Sequence, residues 1–210
     1  MARSLFAGAA GGLACLLLLA SFAGAPSADA HGRSPDGGSL DSGVLYELNL
    51  ARTQPQAYAR ALRDAATLSR ASGAYDDPAA YAEAVDFLMR QPALPPLGAD
   101  AALEGAALSH ADYQGPQGGF GHEGPRGESL GERLHRNGAF ASLMAEDISY
   151  GYANPREVVL QLIVDAGVPS RGHRANIFNP AFREAGVACG PHRVYGAMCV
   201  VDFAGSLMRR

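Results

Sequence analysis

Apolar positions recur every three or four residues in several segments of the chain, and this spacing predicts helices. The first predicted helix begins near Asp41, which with Ser42 is a candidate N-cap, and the pattern continues beyond Pro55. A second predicted helix spans residues 78–89, and a third spans residues 100–113. The N-terminal half of the predicted domain is therefore helical.

Cap residues set the start of two helices. Asp77 is a natural N-cap because a proline follows it at the first helical position. Asn154 is likewise followed by Pro155, and Glu157 lies three residues after the cap, which is typical of a capping box. The β-branched residues that follow would suit a strand equally well. The cap decides for a helix, which is predicted to stop at Gly167.

The rest of the pattern is mixed. Residues 115–131 are rich in glycine and are not expected to form long regular structure, whereas residues 132–137 form a predicted short helix. Residues 186–189 and 195–203 alternate instead of following the helical spacing, and they are interpreted as paired strands of a sheet.

The N-terminal residues predict export. Arg3 precedes an apolar run over residues 13–23, and Ala28-Asp29-Ala30 offers small residues for cleavage after Ala30. The alternative, a membrane anchor, needs about 20 apolar residues, and this run is shorter. We expect a signal peptide over 1–30, a flexible leader over 31–40 and a single domain over 41–207.

Charge and composition exclude some functions. The net charge is −4, and all 17 basic residues are Arg. Nothing here favours nucleic acid, which requires a basic patch, and a chain without Lys cannot form a Schiff base. The high Ala, Gly and Arg content suggests a GC-rich bacterial genome.

Two cysteines follow the predicted signal peptide, Cys189 and Cys199. An even count in an exported chain favours a disulfide, although two buried thiols are the alternative. A tight turn at residues 190–193 would place Cys189 opposite Val194. The bridge therefore requires a wider loop centred near Val194, or cysteines on neighbouring rather than directly paired positions.

Five titratable residues lie in apolar or glycine-rich settings: His110, His122, Glu146, Asp165 and His173. Each also has a plain structural interpretation. A histidine on a helix face is often a satisfied core residue, and Glu146 could belong to a solvated turn. Asp165 near a helix end opposes the helix dipole, which suggests a specific partner.

Several segments of the chain together resemble one family. They are Leu94-Pro95-Pro96-Leu97, Phe120-Gly121-His122, Ala145-Glu146-Asp147-Ile148 with Gly151-Tyr152, and Gly172-His173-Arg174-Ala175-Asn176-Ile177 with Asn179-Pro180. Upstream, Leu48-Asn49-Leu50-Ala51-Arg52 fits the first helix of the same family. In this order and spacing, the segments resemble bacterial secreted proteins of the CAP superfamily, which includes cysteine-rich secretory proteins, antigen 5 and pathogenesis-related 1 proteins.

The resemblance implies an α+β fold, a three-layer α-β-α sandwich with a central antiparallel sheet. It also implies a cavity lined by two histidines and two carboxylates, which correspond here to His122, His173, Glu146 and Asp165. This chain departs from the family at the second carboxylate, where Asp165 replaces a glutamate and Leu162 replaces a tryptophan. Asp147 stands where the family usually has asparagine.

The resulting functional hypothesis is a non-enzymatic secreted module, extracellular or, in a bacterium with two membranes, periplasmic. It would bind a lipid, peptide or cell-envelope component, with His122 and His173 as candidate ligands of a divalent metal such as zinc. The alternative is a metal-dependent hydrolase acting on peptides or envelope material. A Ser-His hydrolase is less well supported, because the chain has no G-x-S-x-G elbow.

Overall fold

The computed structural model describes residues 39–69 and 77–209. The expected signal peptide and nearly all of the expected leader lie outside the described residues. The helices are α1 (Leu40–Thr53), α2 (Pro55–Ser69), α3 (Pro78–Arg90), α4 (Ala101–Gln117), α5 (Leu130–Arg136), α6 (Pro155–Val164) and α7 (Gly172–Ile177). The strands are β1 (Gly98–Ala99), β2 (Ala139–Ala141), β3 (Met144–Tyr150), β4 (Glu184–His192), β5 (Gly196–Ala204) and β6 (Leu207–Arg209).

A central sheet in the order β1-β4-β5-β3 separates two helical layers. Strands β3, β4 and β5 are antiparallel, and the two-residue β1 adds a short parallel edge beside β4. Helices α4 and α5 pack on one face, while α1, α6 and α7 pack on the other with α2 and α3 outside them. The predicted three-layer α+β sandwich is confirmed, with β1 and the small β2-β6 ribbon as additions.

Alternation along the strands assigns residues to the two faces. On β5, Val200 packs with Ala107 and Ala111 of α4, whereas Val201 belongs to the larger core beneath α1 and α6. Gly186 lets β4 approach α4 closely, since a Cβ there would lie 2.2 Å from the carbonyl carbon of Leu103. Within the described residues, no helix is long and apolar enough to span a bilayer.

The helix starts were mostly predictable. Asp77, Asp100 and Asn154 cap α3, α4 and α6 through hydrogen bonds from backbone N–H groups. The predicted cap of the first helix was wrong, because Ser39 caps α1. The Asp41 carboxylate instead accepts a hydrogen bond from the backbone N–H of Cys189, at 2.8 Å.

Helix α4 is longer than predicted. It runs through Gly115 and Pro116 to Gln117 and ends at Gly118, which adopts a left-handed conformation with φ 69°. A glycine is needed at 115 because a Cβ would lie 2.4 Å from the carbonyl oxygen of Pro191. Gly115 thus permits close packing of α4 on the β4-β5 hairpin.

The C-terminal hairpin contains the disulfide Cys189–Cys199. His192 pairs with Gly196, so the loop is three residues long and Val194 lies at its centre. Cys189 and Cys199 are directly opposite, with their Cα atoms 4.0 Å apart. The predicted pairing and the predicted wider loop are both confirmed.

Replacing both cysteines by alanine is expected to lower the free energy of unfolding by about 2–3 kcal/mol, since the bridge closes a short loop in the unfolded chain. Urea denaturation of the oxidised wild type and the double variant measures this difference. An unchanged unfolding midpoint would show that the bridge contributes nothing to stability.

Candidate functional site

The site forms around the free edge of β3, the outer strand of the sheet. Alternation along β3 points Glu146 toward the α4 layer and Asp147 toward the α6-α7 layer. Carboxylates on both faces of one strand obscure the apolar alternation that normally reveals a strand. Both side chains are buried, so the solvated-turn interpretation of Glu146 is wrong.

Glu146 connects a histidine to a buried arginine. His122 Nδ1 donates to Glu146 Oε1 at 3.0 Å, and Arg133 Nη2 donates to Glu146 Oε2. Burial raises the pKa of Glu146, but the hydrogen bond from His122 and the charge of Arg133 outweigh burial and lower it below its usual range. The carboxylate is therefore ionised, and it fixes the His122 ring by accepting the Nδ1 proton.

Asp165 holds the second histidine in the same manner. Asp165 lies at the C-cap of α6 in a left-handed conformation, φ 54°, and its side chain is buried. Its Oδ1 accepts from His173 Nδ1 at 2.6 Å, and its Oδ2 accepts from the His173 backbone N–H at 3.0 Å. This hydrogen bond raises the pKa of His173. The specific partner that the sequence suggested for Asp165 is therefore His173.

The loop that carries His122 is fixed by buried polar groups. The carbonyl of Gly121 accepts from His110 Nε2 at 2.9 Å and from Gln114 Nε2 at 2.7 Å. The Gly121 N–H donates to the Tyr150 hydroxyl at 3.1 Å, and that hydroxyl donates to Gln114 Oε1. His110 is fully buried, so it acts as a core residue that supports the loop.

A cavity of about 510 Å³ lies at this edge, in the size range of small-molecule sites. Both histidines and Asp165 line it, whereas Glu146 lies behind His122. Its walls are otherwise mainly apolar and aromatic, from Phe120, Ile148, Tyr150, Tyr152, Leu160, Leu162, Val164 and Val168.

The two histidines share one arrangement. Each ring uses Nδ1 to donate to a carboxylate, and within the part of the chain described here neither Nε2 has a hydrogen-bond partner. A carboxylate on one ring nitrogen and a free second nitrogen is the usual arrangement of a metal-binding imidazole. The donor chemistry therefore fits a two-histidine site completed by water or ligand.

The carboxylates themselves are already occupied. Both oxygens of Glu146 and both oxygens of Asp165 accept hydrogen bonds from protein donors. Across residues 39–69 and 77–209, no three His, Cys, Asp or Glu side chains are arranged to hold a metal together. The predicted set of four residues is thus two oriented pairs, not a closed four-ligand cage.

Two more buried acids, Asp202 and Asp147, lie beside the site. Asp202 pairs directly with Glu146 across β5 and β3, and burial together with the facing Glu146 raises the pKa of Asp202 well above its usual range. Asp147 accepts from Asn176 Nδ2 at 2.7 Å, and burial raises its pKa to about 8. Sequence reasoning missed Asp202 and also Arg133. The register of β5 on β3 places Asp202 opposite Glu146, and the last turn of α5 places Arg133 beside it.

Two solved structures are similar to part of this chain. An extracellular protein containing an SCP domain from Bacillus anthracis str. Ames is 26% identical, with a TM-score of 0.46 over 54% of this chain and 35% of that chain. An outer surface protein from Borrelia burgdorferi is 22% identical, with a TM-score of 0.44 over 56% of this chain and 80% of that chain. The present chain thus matches only about a third of the Bacillus protein.

No curated protein sequence matches this chain. The profile of the CAP family, described as the cysteine-rich secretory protein family, matches residues 45–203. Those residues include every element from most of α1 to nearly the end of β5, and the four site residues lie among them. Because the match extends over more than half of the chain, this protein belongs to the CAP family, the cysteine-rich secretory protein family.

Proposed function

We propose that this CAP domain is a secreted binding module whose cavity takes a ligand, with His122 and His173 able to bind a divalent metal such as zinc through Nε2. The observation that carries the proposal is that both rings line one cavity while carboxylates hold their Nδ1 atoms. Neutral imidazole nitrogen is a preferred ligand of Zn²⁺ and similar ions. A bound metal would supply a Lewis-acidic centre able to hold a carbonyl or hydroxyl oxygen of a ligand.

The proposal is binding, not hydrolysis. Glu146 and Asp165 accept hydrogen bonds from protein donors at both oxygens, so their role in the structure is to orient the two histidines. The wall of the cavity is chiefly apolar, which suits retention of a ligand.

Export is part of the same proposal. The signal over residues 1–30, the leader over 31–40 and the domain over 41–207 are proposed from the sequence. A disulfide is usual in an oxidising compartment and rare in the cytosol, which supports an extracellular location. The proposed ligand, a lipid, peptide or cell-envelope component, would then bind outside the cell.

Calorimetric titration with Zn²⁺ tests the metal site. At about pH 8 we expect wild type to bind, and we expect His122→Ala and His173→Ala each to weaken binding at least about tenfold. His135→Ala is the matched control, because His135 lies on α5 against Phe140, outside the cavity. Protons compete with metal for the imidazoles, so affinity should fall at about pH 5.5.

The direction of this pH effect follows from the structure. The hydrogen bond to Asp165 raises the pKa of His173, so His173 is protonated at a higher pH than an ordinary histidine. Wild type that binds no Zn²⁺ at about pH 8, or a His135→Ala variant that loses affinity as the other two do, would contradict the metal site.

A further inference from the structure

The cavity has an unbalanced charge. Three of its lining residues are carboxylic acids, Asp77, Glu157 and Asp165, and none of the lining residues among those described is Arg. Since the whole chain contains no Lys, the only basic groups in the lining are the two histidines. Asp165 is committed to His173, but the Glu157 carboxylate makes no hydrogen bond or ion pair with any described residue. A positively charged ligand would therefore meet an uncommitted negative charge here.

Aromatic rings form one wall. Phe120 is 77% exposed and stacks on Tyr150 with the ring centroids 4.8 Å apart. Tyr150 is held by the hydrogen bonds of its hydroxyl, and Tyr152 lies beside it, 40% exposed. Phe120 thus offers an accessible aromatic face at the cavity. Aromatic faces attract ammonium groups, particularly where an acid lies nearby.

Aliphatic side chains form another part of the cavity wall. Ile148, Leu162 and Val164 line the cavity and are buried or half-buried. An alkyl chain would gain free energy by leaving water for this wall. An anionic amphiphile would gain the same contact, but it would place its head group among carboxylates with no arginine to pair with it.

We propose that the cavity binds a cationic amphiphile, with an alkylammonium head against Phe120, Tyr150 and Glu157 and an alkyl chain along the aliphatic wall. The inference rests on the proposed function, in that it uses the same cavity, and it goes further by naming the chemistry of the ligand. Cation–π attraction and the Glu157 charge select the head group, while apolar burial holds the chain.

Three probes that share one alkyl chain test the charge selection: octyltrimethylammonium, octanesulfonate and octanol. Calorimetry at about pH 8 and low salt is expected to give an affinity for the cation at least about tenfold above that for the sulfonate. Added salt should weaken binding of the cation and leave octanol unchanged.

Variants locate the head group. Glu157→Gln is expected to lower the affinity for octyltrimethylammonium about threefold, and Glu157→Arg about tenfold. The affinity for octanol should not change in either variant. Glu104→Arg is the matched control, because Glu104 lies in the first turn of α4 as Glu157 lies in that of α6, but outside the cavity. Phe120→Ala should also lower the affinity for octyltrimethylammonium, because it removes an aromatic face.

The outcomes separate this inference from the proposed function. Equal binding of all three probes, or unchanged affinity in Glu157→Arg, would overturn the cation preference and leave the cavity as a ligand site. Tighter binding of octanesulfonate would overturn it as well. Zn²⁺ binding without binding of any octyl probe would overturn it while keeping the metal site. Failure of Zn²⁺ and all probes would overturn both.

Discussion

Arg52→Met is expected to lower the free energy of unfolding by about 3–5 kcal/mol. The Arg52 side chain on α1 is fully buried and makes its hydrogen bonds to backbone carbonyls. Nη1 donates to Ile177 and, at 3.2 Å, to Asn179; Nη2 donates to Phe182 at 3.4 Å, and Nε donates to Pro95 at 3.2 Å. Burial, together with the charge of Arg183, lowers the pKa of Arg52 to about 10.

The loss is large because methionine leaves those carbonyls buried without donors. The two loops that Arg52 ties to α1 follow the helix of His173 and precede the edge strand β1. Thermal denaturation measures the effect, with an expected fall in Tm of roughly 6–20 °C for a domain of this size. Arg60→Met is the matched control, because Arg60 is exposed on α2. Equal melting temperatures of Arg52→Met and Arg60→Met would contradict this account of Arg52. The melting temperature of Arg52→Lys should be intermediate, because lysine keeps the charge but has fewer hydrogen-bond donors.

Asp147→Asn is expected to stabilise the protein, and the gain should grow with pH. Burial raises the pKa of Asp147 from 3.8 to about 8. Between those values the folded protein keeps a proton that the unfolded chain releases, so wild-type stability falls as pH rises across this window. Each pH unit costs about 1.4 kcal/mol in the ideal case. Asparagine does not titrate, so it removes this cost.

At about pH 3 the two proteins should be nearly equally stable, because Asp147 is protonated in the folded protein and mostly protonated in the unfolded chain there. At about pH 8 the variant should be more stable by about 3 kcal/mol or more. Urea denaturation across this range measures the difference, with the exposed Asp112→Asn as control. A stability difference that stays flat with pH would show that Asp147 is ionised in the folded protein.

Much of the fold could be predicted because its signals are local. Asp77 and Asn154 predicted where their helices begin. The spacing of Cys189 and Cys199 around Val194 predicted a hairpin loop centred on that residue. The order of the family segments then predicted the sandwich. Strand β3 was not predicted, because Glu146 and Asp147 place a carboxylate on each of its faces and so hide the apolar alternation of a strand.

The site was predictable only in part, for a physical reason. Motifs identified the four residues His122, Glu146, Asp165 and His173, but no motif states which atoms meet. The pairing of each histidine with one carboxylate depends on the left-handed turn at Asp165 and on the loop before α5. Partners such as Arg133 and Asp202 carry no local signal, because their roles arise from strand register and helix packing.

In the proposed site, both cavity histidines are held through Nδ1 and present Nε2 to a ligand. Long-range ¹H–¹⁵N NMR of the imidazoles at about pH 8 reads this directly. We expect His122 and His173 to carry the proton on Nδ1. His110 and His192 should carry it on Nε2, because those atoms donate to the carbonyls of Gly121 and Gly119.

Addition of Zn²⁺ completes the measurement. The Nε2 resonances of His122 and His173 should shift together, while those of His110 and His192 stay in place as internal controls within the same molecule. Protons on Nε2 of His122 and His173, or a Zn²⁺ titration that moves neither ring, would contradict the account.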